Sequence, residues 1–318
     1  MASPAGLLDR ELVFVTGKGG VGKSTIAAAL ALLAAEQGRR TLVCEVEATG
    51  FLAEALGAPE SEFTPREVQP RLWAMAMDTE ASLKEYLRLH LRMPGVTRIG
   101  PLARIFEYVA TAAPGVREIL TVGKLAYEVR ERHYDFVVVD ASPTGHIIGQ
   151  LDAPRAINEL LRVGLIRQQT TWMINILSDP ARTGACIVAT PEEMPVAETI
   201  ELAARLGPDA GVELAAVVVN RVLPELFGRG EEKVFEGLTG PPVHATLAQA
   251  IGPPTTTLVD AARLAVTLRR ARAEHLERLR GAVDPAVPLL LVPELFSRAH
   301  GVRTTRQVAE ALGAELGL

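Results

Sequence analysis

The run "VTGKGGVGKST" at residues 15–25 holds residue types that bind phosphate. Residues 17–24, "GKGGVGKS", fit the spacing G-x-x-x-x-G-K-[ST]. Glycines allow positive φ and let the backbone approach phosphate oxygens closely. Backbone N–H groups of such a loop, together with the N-terminus of the helix that follows, cradle the anion. The cradle here takes in Gly17, Lys18, Gly19, Gly20, Val21, Gly22, Lys23, Ser24 and Thr25. Lys23 is expected to reach the β- and γ-phosphates, and the Ser24 hydroxyl to ligate Mg²⁺. An apolar run precedes the loop and an Ala-rich helical pattern follows it, which is the context this chemistry needs. One residue is left over. A phosphate loop requires Lys23 alone, and this one also carries Lys18.

A second constellation is "FVVVDASPTGH" at residues 136–146. Asp140 ends a buried apolar run and is expected at the same end of the sheet as the phosphate loop. A strand-terminal Asp in that position holds Mg²⁺ through a water. Pro143, Thr144, Gly145 and His146 follow, a small stretch suited to a switch loop that changes shape with the γ-phosphate.

The elements that must position these groups alternate. Apolar β-rich runs occur at 12–16, 41–46, 72–77, 136–139, 185–189, 214–219 and 287–292. They are continuous rather than alternating, as strands buried on both faces are, so the fold class is α/β with a mostly parallel central sheet flanked by helices. Residues 23–37 read as a helix closed by Gly38. The stretches 79–133 and 151–183 have helical patterning without a good strand and are expected to cap one end of the sheet as helical insertions. The charged segment 269–280 reads as a solvated helix face. No linker or repeat divides the chain, so residues 1–318 read as one domain.

Composition narrows the function. Hydrophobic residues make up 48% and charged residues 22% of the 318, which suits a globular chain with a large core. A net charge of −5 offers no basic surface for nucleic acid or anionic lipid. Cys44 and Cys186 are the only cysteines, with no C-x-x-C, so neither a disulfide framework nor a thiolate metal site is expected. The start "MASPAGLLDRE" lacks the basic and apolar regions of a secretory signal. The longest apolar run, residues 26–35, is about half of what spans a bilayer. A cytoplasmic location follows as an expectation.

The two-lysine loop resembles the deviant Walker A of the SIMIBI class of P-loop ATPases. "DASPTGH" is similar to the D-x-A-P-T-G-H element of one branch, the ArsA-type anion-pump ATPases and the ATPases that target tail-anchored proteins. "ATPEEMPVAETIEL" at 189–202 resembles that family's P-E-x-x-P-x-x-E-T element. "VVVNRVLPE" at 217–225 and "PLLLVPELFSRAHG" at 288–301 resemble its adenine-side strands. "CEVEATG" at 44–50 and "APGVREIL" at 113–120 are similar to its actinobacterial-type members. The resemblance implies ATP and Mg²⁺ as ligands, with Asn220, Arg221 and Pro293 on the base side. It also implies a dimer in which Lys18 reaches the phosphates of the partner's ATP, and a hydrophobic protein client or a membrane-associated partner.

The chain departs from the family at its first switch. The usual D-P-A-H becomes Glu47, Ala48, Thr49 and Gly50, so the water-orienting carboxylate falls on Glu47, one methylene longer. Attack geometry is sensitive at the ångström scale, so slow hydrolysis is one expectation. The alternative is a regulatory ATP-binding subunit in a heterodimer with a related ATPase. Metalloid binding would need neighbouring thiolates, and the zinc site of the eukaryotic targeting ATPases would need C-x-x-C, so neither is expected. The apolar stripe from Leu160 to Leu177 reads as core, interface or client groove. A partitioning ATPase would need a membrane-seeking or basic C-terminus, and "RTTRQVAEALGAELGL" supplies neither.

Overall fold

The computed structural model describes residues 6–47, 49–90, 115–160, 165–228, 230–238, 240–252, 254–296 and 301–318. Four apolar strands form the middle of one sheet: β1 (Leu12–Gly17), β2 (Thr41–Glu45), β5 (Phe136–Asp140) and β6 (Thr183–Ala189). Every residue in them is buried, as their uninterrupted Val, Leu, Phe and Ala content requires. With β3 (Arg66–Gln69), β4 (Leu72–Ala76), β7 (Leu214–Val222) and β8 (Leu289–Pro293), the order is β3-β4-β2-β5-β1-β6-β7-β8. All pairings are parallel except β3 with β4.

Register places the chemistry. Val15 lies opposite Asp140 on one side and Cys186 on the other. The loop leaving β1 and the end of β5 therefore emerge side by side at the carboxyl edge, where α/β sheets bind ligands. Glu45, the last residue of β2, lies opposite Asp140 from the other flank.

Helices cover both faces. On one, α1 (Lys23–Glu36), α2 (Phe51–Leu56) and α11 (Val302–Leu316) bury Ile26, Leu30, Leu52, Val308 and Leu312 against Val13, Val15, Val43 and Val188. A leucine as fully buried as Leu30 stabilises the fold by about 1.5–3 kcal/mol. On the other face, α4 (Val116–Arg130), α5 (Thr144–Leu160) and α6 (Leu165–Leu177) pack Val122, Leu125, Ile147, Leu151 and Ile176 on Leu12, Phe14, Val137 and Val139. α3 (Thr79–His90) joins α4 through Glu85 and Lys124, 2.8 Å apart. After β6 comes α7 (Glu193–Arg205), which ends in a short π-turn over Leu206–Ala210. Two short helices, α8 (Glu231–Leu238) and α9 (Pro241–Ile251), lead to the long α10 (Pro254–Ala282).

Several expectations need correction. The edge strand β3 carries no apolar run. It is half-exposed, bulged at Glu67–Gln69 and paired only to β4, so sequence periodicity has nothing to detect. The helices expected to cap one end of the sheet instead lie, in α4, α5 and α6, flat on one sheet face. α5 starts at Thr144, ahead of the expected insertion boundary at 151, and the region 91–114 lies outside the described residues. Within the apolar stripe, Met173, Ile176 and Leu177 are core, and Leu160 is exposed. Leu161 and Val163 lie outside the described residues. The charged segment 269–280 is not wholly solvated. Arg269 and Arg270 pair with Glu225 and Glu236, while Leu279 is buried against α7 and β7.

The run 26–35 is the buried helix expected of it, α1, with Leu33 alone in the run half-exposed. Cys44 and Cys186 are free and buried on separate strands, and burial pushes the Cys186 thiol up to about 12. No described helix is long and apolar enough to cross a membrane.

Candidate functional site

The loop between β1 and α1 is built to leave backbone donors free. Gly22 sits at the helix N-cap with φ 97°, no side chain caps the helix, and its first turn holds no acid. The first N–H groups of a 14-residue helix thus point outward without a protein partner of that kind, which is an anion site. A side chain at Gly22 would meet Asn220 Nδ2 at 2.4 Å, so glycine is required there twice over. Gly17 faces a harder constraint. A Cβ on it would lie 2.1 Å from the Val188 carbonyl oxygen, because β1 and β6 approach closely where the loop begins. Gly20 also takes positive φ, whereas Gly19 does not and has open space beside it. Val21 is buried and anchors the loop.

A cavity of about 540 Å³ opens beside this loop. Of the residues singled out in sequence, Gly20, Gly22, Lys23, Ser24, Thr25, Asn220, Arg221 and Pro293 line it. Glu294 and Leu295, inside the 288–301 segment that resembles the family's adenine-side strand, line it too, as do Phe51 and Thr304, which nothing in the sequence marked. They come from the start of α2, the end of β8 and the start of α11, which only the fold brings to one place. Thr305 Oγ donates to the Ala55 carbonyl over 2.7 Å and ties α11 to α2 along that wall. Asn220 does more than face the cavity: its Nδ2 donates to the Val21 carbonyl at 2.9 Å and holds the loop. Arg221 follows with positive φ and exposes its side chain.

Charge converges below the loop. Lys23 Nζ donates to the Lys18 carbonyl at 3.3 Å. Burial lowers the Lys23 ammonium from its ordinary value, and the carboxylates of Asp140 and Glu47 oppose that shift. Burial raises the Asp140 carboxyl to about 6, against a hydrogen bond to the Ser24 side chain and the charge of Lys23. Asp140 Oδ1 is buried with no hydrogen-bond partner. An orphaned carboxylate oxygen beside a serine hydroxyl at a phosphate loop is a fit for Mg²⁺, which takes one or two protein oxygens and completes its shell with water and phosphate. Among the described residues no group of three or more His, Cys, Asp or Glu is arranged to hold a metal by itself.

Glu47 is exposed just past β2, yet close enough to act electrostatically on both Lys23 and Asp140. Its neighbour Ala48 lies outside the described residues. Glu45, which sequence reasoning passed over, is buried and accepts from the Thr49 hydroxyl at 2.5 Å, pinning the segment that carries Glu47. The segment after Asp140 is less of a loop than its composition suggests. Only Ala141–Pro143 is irregular, and Thr144, Gly145 and His146 already form the first turn of α5. Thr16 Oγ donates to the Ser142 carbonyl at 2.8 Å, joining β1 to this bend.

Lys18 stands apart. It does not line the cavity that Lys23 enters. Its ammonium is paired instead with Glu198 of α7, whose other carboxylate oxygen accepts from Thr144 Oγ at 2.7 Å. These bonds hold the Glu198 carboxyl below the usual carboxylate range.

Comparisons with known proteins identify the family. The profile of the ArsA ATPase family, described as anion-transporting ATPase, matches residues 10–175 and 166–232. The ATPase BagA of Mycobacterium tuberculosis (strain ATCC 25618 / H37Rv) is 33% identical over 312 residues, covering 91% of this chain and 89% of the relative. The arsenical pump-driving ATPase of Acidiphilium multivorum is 28% identical over 233 residues, 67% of this chain and 40% of the relative. The ATPase GET3 of Podospora anserina is 27% identical over 152 residues, 47% of this chain and 44% of the relative. Because the profile runs from β1 through β7 and BagA aligns along nearly the whole length, the chain belongs to the ArsA family and is a P-loop enzyme that binds and hydrolyses ATP.

Proposed function

We propose that this ATPase is an Mg²⁺-dependent switch that works as a pair of chains, in which each Lys18 serves the nucleotide held by the other. The observation that carries the reading is the placement of the two lysines. Lys23 lines the nucleotide cavity of its own chain, and Lys18 of the same loop does not. A cation delivered from outside at the transition state contributes about 10³–10⁵ in rate in related phosphoryl transfers. Two copies facing each other across a two-fold axis would supply one such cation to each site.

Within one chain the roles divide by position. The loop amides and Lys23 bind and orient the triphosphate, and Asn220, Arg221 and Pro293 flank the base. Ser24 and, through water, Asp140 would hold Mg²⁺, which when bound neutralises charge on the phosphate oxygens. Glu47 orients the attacking water. Water's oxygen bonds to the γ-phosphorus, the bond to the β–γ bridging oxygen breaks, and ADP and phosphate leave. The extra methylene of Glu47 makes this a slow step.

Closure is read out through α5. Its first residue, Thr144, follows Asp140 by one short bend, and Ile157 near its far end lines an apolar cavity of about 240 Å³ among α3, α4, α5 and α6. The helix from Thr144 to Ile157 carries a movement about 20 Å from the phosphate end to that cavity. Leu83, Tyr86, Ile119 and Trp172 make it suited to a hydrophobic protein partner or one at a membrane. We read residues 1–318 as one unit with these helices as its responsive part, because one sheet takes strands from residue 12 to residue 293. We place the activity in the cytoplasm, where free thiols persist.

Turnover per chain is expected to rise with protein concentration as dimers form. Lys18→Ala should lower the plateau about 10³-fold or more, and Glu47→Gln about 10²-fold. A rate per chain independent of concentration, or full turnover by Lys18→Ala, overturns the paired reading. If activity appears only when a related ATPase is added, the pair is a heterodimer.

A further inference from the structure

We propose that Glu198 is a positioning residue that latches Lys18 to its own chain in the resting state and releases Lys18 and Thr144 together when two chains close. The inference rests on the cross-chain role of Lys18 proposed above. One carboxylate divides its two oxygens between two parts that must move: Oε1 holds the Lys18 ammonium of the phosphate loop, and Oε2 accepts from the Thr144 hydroxyl at the head of α5. The post that carries Glu198 is fixed. On α7, Val196 and Thr199 on either side of it are buried and anchor the helix backbone, so Glu198 reaches its partners only as far as its side chain extends.

The latch is also built to open. The side chains of Lys18 and Glu198 are 32% and 28% exposed, so water and a competing anion reach the pair. A half-exposed ion pair of this kind contributes little compared with a triphosphate, which offers several charged oxygens to the same ammonium. While it is closed, Lys18 is neutralised and turned to its own chain. When a partner's phosphate takes the ammonium, Glu198 loses the charge that orders it, and its hold on Thr144 loosens. Linkage makes this reciprocal: a movement of Thr144 caused by nucleotide in the same chain frees Lys18 for the partner. Chain association and the response of α5 are thereby coupled through one side chain.

The test is dimerisation of the full chain by sedimentation, with Mg²⁺ and a slowly hydrolysed ATP analogue, alongside the protein concentration that gives half-maximal ATPase rate. Glu198→Gln keeps the shape and removes the charge. Each opened latch is worth about three- to fivefold in an equilibrium constant, and a symmetric dimer opens two, so Glu198→Gln should tighten dimerisation about 10–25-fold. Glu198→Asp should restore most of the wild-type value. Thr144→Val, which leaves the ion pair, should shift it in the same direction by a smaller factor. In a Lys18→Ala background the Glu198→Gln effect should vanish. A Glu198→Gln dissociation constant within twofold of wild type overturns the latch, as does an effect of equal size without Lys18. Failure of the underlying reading looks different: Lys18→Ala itself would then dimerise and turn over like the wild type.

Discussion

Asp140 is buried with one carboxylate oxygen left without a hydrogen-bond partner. Burial raises its carboxyl to about 6, above its ordinary value, so the folded chain binds more protons than the unfolded one between about pH 4 and 6. Stability contributed by the protonated form is present below that window and is lost as pH rises through it. Without divalent cations, Asp140→Asn is therefore expected to stabilise the chain by about 2 kcal/mol at pH 7.5 and to flatten its unfolding free energy between about pH 4 and 6. Urea unfolding of both proteins in chelator checks this, and parallel pH profiles contradict it. The same substitution should abolish Mg²⁺-dependent turnover, so stability and activity part company at one atom. Asp140 was legible in the sequence because it ends an apolar run just before the short P-T-G-H stretch, in a chain that also carries a phosphate loop. Glu198 was legible only as the Glu of the element at 189–202; that it meets Lys18 across 180 positions of chain, no local pattern announces. Phe51 and Thr304 were hidden for the same reason.

At the scale of elements, the sheet edge depends on how closely β1 and β6 can run. Replacing Gly17 with Ala puts a methyl group 2.1 Å from the Val188 carbonyl oxygen, a backbone atom that cannot swing away. The strands must separate or the loop must shift, and a loss of about 2–3 kcal/mol is expected in denaturant unfolding, with ATP affinity falling alongside. Gly19→Ala, with open space at its Cβ and no positive φ, should cost far less. A Gly17→Ala protein as stable as Gly19→Ala would show that this approach does not constrain the fold. The strands in the middle of the sheet could be read from sequence because burial on both faces leaves unbroken apolar runs. β3 could not, since an edge strand needs only backbone partners and keeps Arg66 and Glu67 in solvent. Helices were legible as helices, but not their placement: α4, α5 and α6 lie flat on the sheet because Val122, Ile147 and Ile176 face Phe14 and Val139. α5 in particular joins the bend after Asp140 to an apolar cavity near its far end, a connection that its composition alone does not disclose.

At the scale of the molecule, the phosphate loop lines a cavity with Gly20, Gly22, Lys23, Ser24 and Thr25, and its Lys18 does not. The helix α11 spends its apolar face on α1, with Val308 and Leu312 buried there, and its Thr304 and Val308 line the nucleotide cavity. On the proposed reading the molecule is half of a two-site machine, whose working state is the closed pair. Mixing two crippled chains tests this most directly. A Lys18→Ala chain keeps its own Lys23 and lacks the cation it would lend. A Lys23→Ala chain cannot hold its own phosphates well but still carries Lys18. Each should be nearly inactive alone. Mixed in equal amounts, about half the dimers are hybrids with one intact site of two, so ATPase activity should return to about one quarter of wild type. Hybrid dimers that form and remain no more active than the two variants apart would contradict the exchange of Lys18 between chains.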